Sequence, residues 1–370
     1  MNICYISNSA SPSKNASSLQ IAKLCEYITK KGHSVKLILP NTGYNKNFYN
    51  FYNINFKYKI KKLKYFTKFP VGINYYLYSI FAILKSNYSK QDLFLTRNFF
   101  TSLILSFLKK KHILEIHDDI KIEGRIIQFL VKNLKILNYN SLIKIITTTK
   151  SLKKKYQSYG IIKNKIQVLH NASSLKSKFN ISKKKKYLKI GYFGSIFKSR
   201  GIEMILKLSK LDKKNRYYIF GGTKEQISNI KKNAKNKNLF FSPHISYSKV
   251  EKEIEKIDLC ILPYTSKITV SGNVGDISRF TSPLKIFDYM KLGKLIICSN
   301  LPVLREILDN KKNCLMVKNF NDENEWYKII LSVSDNFTKC NRLRKNAFTY
   351  AKKFDLNWRV EKLLSIQNFP

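Results

Sequence analysis

Short apolar runs alternate with longer amphipathic segments along most of the chain. In the first half the runs NICYIS, HSVKLILP, DLFLTR, HILEIHD, IKIITTT and KIQVLHN predict strands. Between the first two, SSLQIAKLCEYITKKG places Leu19, Ala22 and Ile28 near one side of a helix that ends at Gly32. Strands separated by helices predict parallel β-α-β units.

The same pattern starts afresh after the basic stretch ISKKKK, residues 181–186. It predicts the strands YLKIGYFGS, RYYIFGG, NLFFSP, LCILPY, KLIICS and NCLMVK and the helices GIEMILKLSKL, KEQISNIKKNAK, SKVEKEIEKI and PVLREIL. We therefore expect an α/β domain over 1–180, a second over 187–350, and a C-terminal helix within 351–370 that can pack on either. Ligands of such sheets bind at the carboxyl ends of the strands, so we expect a site in the cleft between the domains.

The stretch FTSPLKIFDYMKLGKLIICSN, residues 280–300, holds a cation in an unusual place. Ser282 before Pro283 predicts a helix N-cap and first turn, which puts Lys285 near the positive end of the helix. Either Lys285 pairs with Asp288, three residues on, or an anion lies at that end. Residues alone leave both interpretations open.

Charge and cysteine content narrow the class of protein. The 370 residues include 69 Lys and Arg against 23 Asp and Glu, a formal net charge of +46, which favours anionic partners such as nucleic acid or membrane. The lysines are spread along the chain together with many Asn, Ile, Tyr and Phe, as in an A/T-rich coding sequence, so we discount part of the charge. Six cysteines without a CxxC motif predict buried free thiols in a reducing compartment.

Two further segments bear on location. The start MNICYIS lacks the features of a secretory signal, and VGINYYLYSIFAIL, 71–84, is too short to span a bilayer. We expect a cytoplasmic protein, with a peripheral position on the inner face of the cytoplasmic membrane left open. The segment 48–68, FYNFYNINFKYKIKKLKYFTK, alternates aromatics with lysines, which suits an anionic membrane interface, single-stranded nucleic acid or a solvated loop.

Seven segments, in order, resemble family 4 of the glycosyltransferases, whose members are retaining enzymes with the GT-B fold of two Rossmann-like domains facing across a cleft. They are NASSLQIAKLCEYITKKGHSVKLI, LFLTRN, LEIHDD, IGYFGSIFKSRGIEMIL, YIFGG, HISYSKVEKEIEKIDLCILPY and SPLKIFDYMKLGKLIICSNLPVLREIL. The resemblance implies sugar transfer from a UDP- or GDP-linked donor to a glycan or lipid-linked acceptor, in polysaccharide, lipopolysaccharide or glycolipid synthesis.

The resemblance also implies a donor site. Its residues are Gly194, Ser195, Arg200, Ser282, Pro283, Leu284, Lys285 and Asp288. Asp288 stands where the family usually has a Glu that accepts hydrogen bonds from the ribose hydroxyls. Phe280 and Ser195 replace a second Glu and an Arg of many members, so Lys285, Arg279 or Lys198 is expected to supply the missing cation.

His117 in EIHDD matches a family histidine near the donor sugar; Glu115 and Asp118 are expected to orient it, and an ordinary loop histidine is the alternative. We take His117, Arg200 and Lys285 as the catalytic residues. Ser13, Asn15 and Ser17, in SASPSKNASS, are assigned to an acceptor-side loop. Without a DxD-type pair of carboxylates we expect no metal, because fixed cations and helix amides would neutralise the leaving diphosphate.

Two other functions stay open at this point. A basic nucleic-acid-binding protein would show binding that falls steeply with salt, although its lysines should cluster on one face. A nucleotide-sugar epimerase of similar fold would need more carboxylates at its site.

Overall fold

The computed structural model describes residues 1–9, 11–41, 47–64, 71–133, 136–181, 183, 185–234, 236–269 and 276–366. They form two compact units, the first made of Met1–His170 with Leu356–Pro370 and the second of Asn171–Asp355. Each unit is built on its own parallel sheet, described separately below.

The described strands are β1 Asn2–Ile6, β2 Ser34–Asn41, β3 Lys59–Lys64, β4 Leu93–Thr96, β5 His112–Ile116, β6 Leu142–Thr147, β7 Ile166–Val168, β8 Lys189–Phe193, β9 Arg216–Phe220, β10 Leu239–Ser242, β11 Leu259–Leu262, β12 Leu295–Ser299 and β13 Leu315–Val317. The described α-helices are α1 Ala16–Lys30, α2 Phe48–Tyr52, α3 Val71–Lys85, α4 Phe99–Phe107, α5 Arg125–Asn133, α6 Lys150–Gln157, α7 Ile202–Leu211, α8 Lys224–Asn233, α9 Tyr247–Glu255, α10 Leu284–Lys291, α11 Glu323–Asp335, α12 Asn341–Ala351 and α13 Leu356–Ser365.

Both sheets have the strand order of a Rossmann-like domain. The first runs β3-β2-β1-β4-β5-β6-β7 and the second β10-β9-β8-β11-β12-β13, and every pairing is parallel. The central strands β1, β5, β11 and β12 are almost wholly buried, as expected of parallel sheets covered by helices on both faces. Their apolar runs are therefore the strongest strand signals in the sequence.

The boundary between the units lies at His170 and Asn171 rather than at the basic stretch 181–186. The residues in between belong to the second unit, because the amides of Ser173 and Lys178 donate to the carbonyls of Phe354 and Lys291 at 3.0 and 3.1 Å. Helix α13 belongs to the first unit, where it packs against α1. The first unit is therefore assembled from two separate stretches of sequence.

One local prediction is wrong. PVLREIL forms only a short 3₁₀ turn at Leu304–Glu306 instead of an α-helix. The Asn313 side chain bonds the Asp309 amide at 2.7 Å and the Ile307 carbonyl at 3.2 Å, and so holds the chain in a turn there. The aromatic and lysine-rich segment contains α2 and the edge strand β3. Its side chains Phe48, Tyr52 and Tyr58 are buried, whereas Phe56 is exposed.

Residues 65–68 of that segment lie outside the described residues. All six cysteines are free and buried, as predicted. Among the described helices, none is both long enough and apolar enough to cross a membrane.

Candidate active site

In the second unit the sheet order reverses between β8 and β11, and the loops at the carboxyl ends of these strands flank the start of α10. This is the position where ligands bind in sheets of this kind. The predicted donor residues Gly194, Arg200 and Lys285 all lie there.

Gly194, the first residue after β8, makes room for a lysine. Its φ of +143° lies in a region that side chains rarely adopt, and a Cβ at this position would stand 2.3 Å from Lys285 Nζ. Its amide donates to the Phe220 carbonyl at 2.9 Å, which fixes the turn against β9. The next residue, Ser195, is held by the Tyr192 hydroxyl, which donates to its carbonyl at 2.7 Å. The glycine turn is therefore built around the Lys285 ammonium.

Two aromatic rings hold the two cations of the site. Lys285 Nζ lies 4.0 Å from the centre of the Tyr192 ring and 5.5 Å from that of Tyr264. Arg200 Cζ lies 5.3 Å from the centre of the same Tyr264 ring, and its Nη2 donates to the Thr269 carbonyl at 3.3 Å. Ring faces attract cations but leave them without a neutralising anion. Both positive groups are therefore fixed in place and still available to an anionic ligand.

The site is short of negative charge. Among the described carboxylates, none forms an ion pair with Lys285 or Arg200. Burial, and after it the positive charge of Arg200, holds the pKa of Lys285 well below its usual value. An anion bound here would reverse both effects, because it would favour the charged ammonium.

Asp288 does not pair with Lys285, so the ion-pair interpretation of the opening turn of α10 is wrong. The Asp288 carboxyl is 8% exposed, and its Oδ1 accepts a hydrogen bond of 2.5 Å from Ser173 Oγ. Burial raises its pKa to about 6, against the opposing effects of Ser173 and Lys291. The role of Asp288 toward ribose hydroxyls stays a prediction.

The start of α10 differs in one detail from the prediction. Pro283 is the N-cap, and its ring offers no side-chain bond to the helix amides. Ser282 lies before the cap, where its carbonyl accepts from Asn171 Nδ2 at 2.6 Å. Ser282 Oγ and Asn171 Oδ1 are buried without a hydrogen-bond partner in the described structure. No side chain therefore caps the first-turn amides from Leu284 onward. Uncapped amides of this kind are what an anion site at a helix start requires.

The other predicted substitutes are Arg279 and Lys198. Arg279 is exposed and Phe280 half-buried in the turn before α10. The side chain of Lys198 lies outside what the structure describes. Lys285 and Arg200 are thus the cations that the structure brings together.

In the first unit, His117 directly follows β5, and its ring is fixed by a buried carboxylate. His117 Nε2 lies 2.5 Å from Glu115 Oε1. Arg97 Nη2 donates to the same oxygen at 2.6 Å, and Arg359 Nη2 donates to Oε2 at 3.1 Å. Glu115 therefore orients His117 as expected, whereas the structure records no such contact for Asp118.

The protonation state of this cluster follows from its charges. The two guanidinium groups hold the pKa of Glu115 well below its usual range, against the effect of burial. Burial and the charge of Arg97 lower the pKa of His117 to about 4. An ionised carboxylate can only accept, so His117 Nε2 carries the proton and Nδ1 keeps a free lone pair. His117 is thus a neutral hydrogen-bond acceptor at neutral pH.

Arg97, Arg359, Tyr192 and Tyr264 belong to these clusters and were not predicted. Arg359 comes from α13, where it also donates to the His170 carbonyl at 3.0 Å. Its distance from Glu115 in the sequence leaves no local signal. Tyr192 lies in β8 and Tyr264 follows β11, and the apolar pattern of these strands predicts core residues. Both tyrosines are indeed buried, so the pattern gave no sign of their second role beside the cations.

The predicted acceptor-side loop leads from β1 into α1. The Ser13 amide donates to the Tyr52 hydroxyl at 2.8 Å, and that hydroxyl donates to the Ser13 carbonyl at 3.0 Å. Ser13 Oγ lies 2.8 Å from Ser18 Oγ. Asn15 is the exposed N-cap of α1, and Ser17 lies in its first turn. The three residues are therefore neighbours at one helix start, and their role stays a prediction.

Among the described residues, no three or more His, Cys, Asp or Glu side chains are grouped so that they could hold a metal ion.

Comparison with known proteins gives a family match over part of the second unit and a fold for the whole chain. The family model of the glycosyl transferases group 1 matches residues 173–350. No curated protein sequence matches the chain significantly.

Similar solved structures include Anabaena Alr3699/HepE in complex with UDP, 12% identical over 100% of both chains with a TM-score of 0.73. The same protein in complex with UDP-glucose is 13% identical over 99% of each chain, with a TM-score of 0.70. The lipopolysaccharide outer core galactosyltransferase WaaB, in its apo form, is 11% identical over 100% of this chain and 99% of that one, with a TM-score of 0.69.

A variant of S. aureus TarM in complex with Fondaparinux, alpha-GlcNAc-glycerol and UDP is 10% identical over 99% of each chain, with a TM-score of 0.69. At these identities the likeness shows the fold, which is GT-B with two parallel α/β domains, as predicted.

Proposed function

We propose that the chain is a glycosyltransferase that transfers a sugar from a nucleoside diphosphate sugar with retention of configuration. The match of residues 173–350 to the glycosyl transferases group 1 model and the GT-B fold support this proposal. The bond between the anomeric carbon and the β-phosphate oxygen breaks, and a bond from that carbon to an acceptor hydroxyl oxygen forms. The hydroxyl proton passes to the departing diphosphate. The protein then supplies positioning and charge rather than a nucleophile.

One observation carries this proposal. Lys285 and Arg200 are held on aromatic faces beside Gly194, at the uncapped start of α10, without a described carboxylate to neutralise them. A diphosphate offers the negative charge and the acceptor oxygens that this arrangement lacks. Charge develops on the diphosphate as the sugar leaves, so fixed cations stabilise the transition state more than the ground state.

In the first unit, His117 offers its Nδ1 lone pair to a substrate hydroxyl. We propose that this hydroxyl belongs to the donor sugar, in keeping with the family resemblance. Because Glu115 fixes the ring and its tautomer, His117 acts as an acceptor and does not have to lose a proton first.

Binding of UDP and GDP tests the donor site. Purified protein should be stabilised thermally by UDP or GDP, and Lys285→Ala and Arg200→Ala should each reduce that stabilisation strongly. Lys210→Ala is the matched control, because Lys210 lies exposed at the far end of α7. If neither diphosphate shifts the wild-type melting temperature, or if the Lys210 variant loses as much as the Lys285 variant, the donor-site assignment fails.

Retention and the acceptor class have their own tests. We propose a cell-surface glycan or a lipid-linked glycan as acceptor, with the enzyme acting in the cytoplasm at the membrane surface. WaaB and TarM, both of similar fold, support this choice only as relatives. The anomeric coupling constant of the product, measured by NMR, should match that of the donor; an inverted anomer would refute retention.

A further inference from the structure

Helix α3 carries an apolar stripe on its outer side. Ile73, Ile80, Phe81 and Leu84 are 47%, 42%, 40% and 58% exposed, and Leu77 is half-buried. At 100° per residue these five side chains fall within an arc of about 100° along about 16 Å of helix. Scattered apolar side chains are common on surfaces, but a continuous stripe along three helical turns marks a contact surface.

The opposite side of α3 fixes its orientation on the sheet. Tyr78, Ala82 and Ile83 are buried in a cluster with residues of β1, β2 and β4, and Leu63 of the edge strand β3 packs against the same cluster. Side chains alternate between the two faces of a strand, so Lys59 and Lys61 share the α3 side of the sheet with Leu63, and Lys62 and Lys64 point to the other side.

Positive charge gathers at the C-terminal end of the stripe. Lys36 Nζ donates to the carbonyls of Lys85 and Ser86, the last residue of α3 and the one after it, at 3.0 and 3.3 Å. Lys59 and Lys61 are near enough to lower the pKa of Lys36, although burial has the larger effect. No acidic residue occurs in the sequence between Glu26 and Asp92. The C-terminal end of α3 therefore lies beside Lys36, with Lys59 and Lys61 close to that lysine.

We propose that this face, made of the α3 stripe and the lysines Lys59, Lys61 and Lys85, docks on a membrane that contains anionic lipids. The apolar side chains would enter the boundary between headgroups and acyl chains, and the lysines would contact lipid phosphates. A protein partner would more often present carboxylates as well as apolar groups, whereas a lipid surface supplies both an apolar layer and a dense sheet of negative charge. This inference does not depend on the donor chemistry.

Vesicle flotation tests the proposal with the full chain. The wild type should bind vesicles of mixed phosphatidylcholine and phosphatidylglycerol and should not bind pure phosphatidylcholine. Ile80→Asp/Leu84→Asp should lower the partition coefficient by roughly 100-fold or more, since two apolar side chains no longer enter the bilayer. Leu211→Asp/Leu331→Asp is the matched control, because these leucines of the second unit are similarly exposed.

A second pair of variants tests the charge. Lys59→Gln/Lys61→Gln should weaken binding to the anionic vesicles by roughly 10- to 30-fold, at about 1 kcal/mol for each lysine near the surface. Lys62→Gln/Lys64→Gln, on the same strand but the other side of the sheet, should change it much less. Equal losses in the two pairs would overturn the assignment of the face, even if the protein binds membranes.

Other outcomes are also decisive. If the protein binds no vesicles and the α3 aspartate variant converts a dimer into a monomer, the stripe is an interface between two copies and the proposal is wrong. Stabilisation by UDP should be unchanged in folded α3 variants, as judged by circular dichroism. Loss of vesicle binding with retained UDP binding therefore tests the docking surface. Loss of UDP binding with retained vesicle binding tests the donor site.

Discussion

The buried carboxylate of Glu115 gives a sharp test of how the first unit is held together. In Glu115→Gln the side chain keeps its size but loses its charge. Arg97 Nη2 and Arg359 Nη2, now 2.6 and 3.1 Å from its oxygens, would both stay buried without a counter-charge. Their side chains are only 12% and 5% exposed, so water cannot replace the carboxylate.

The expected cost is large. Removing one partner from a buried ion pair costs about 3–5 kcal/mol. For a unit of this size each kcal/mol lowers the melting temperature by about 2–4 °C, so the variant should melt roughly 6–20 °C lower. The difference should depend on pH. The folded pKa of Glu115 is depressed, so its stabilisation is complete above the unfolded value of about 4.3 and is lost as the pH falls toward the folded pKa.

Thermal unfolding between pH 2 and pH 7 measures both effects, because the stabilisation by Glu115 is complete above about pH 4.3 and is lost below it. Glu361→Gln is the control, since Glu361 pairs with Lys31 at the surface and should cost about 0–1 kcal/mol. A Glu115 variant that melts within about 2 °C of the Glu361 variant, with the same pH dependence, would mean that the cluster contributes little charge energy. The ion-pair account of the first unit would then be wrong.

Three further predictions concern the second unit. Binding of UDP should be coupled to uptake of a proton at alkaline pH, because the diphosphate raises the depressed pKa of Lys285. Titration calorimetry in buffers of different ionisation enthalpy measures the proton uptake, and Lys285→Ala should abolish it. UDP affinity should rise as the pH passes upward through about 6, where Asp288 ionises and can accept ribose hydroxyls, and Asp288→Asn should flatten that rise. Gly201→Ala should destabilise the unit by about 1–3 kcal/mol, since φ is +74° and the new Cβ would stand 1.6 Å from the Pro263 carbonyl oxygen. In the control Gly72→Ala, in α3, the new Cβ meets no atom within 4 Å, so this change should be neutral or stabilising. Chemical denaturation measures both free energies of unfolding.

The two-unit architecture could be predicted because apolar strand runs in parallel sheets are nearly continuous and helix ends are marked by glycines such as Gly32 and Gly293, both at positive φ. Strand β3 could not be predicted, because it carries lysines on both faces and so lacks the alternation of apolar and polar residues that indicates a strand. Helix α3 was missed for the opposite reason, since its two sides are both apolar and give no clear period.

The candidate site was predictable to the extent that local motifs carry it. Gly194, Lys285 and His117 follow strands or open a helix, and their motifs can be identified within a few residues. The groups that control their chemistry come from elsewhere: Tyr264 follows another strand, and Arg359 reaches Glu115 from the far end of the chain. Such partners depend on the tertiary fold, so sequence patterns alone do not reveal them.

The placement of α13 has a consequence for the order of assembly during translation. The second unit is complete once Asp355 has left the ribosome, but the first unit, although it begins the chain, waits for α13. Until Arg359 arrives, Glu115 faces only Arg97 and His117. During translation the first unit therefore lacks the helix that packs on α1 until the whole second unit has been synthesised.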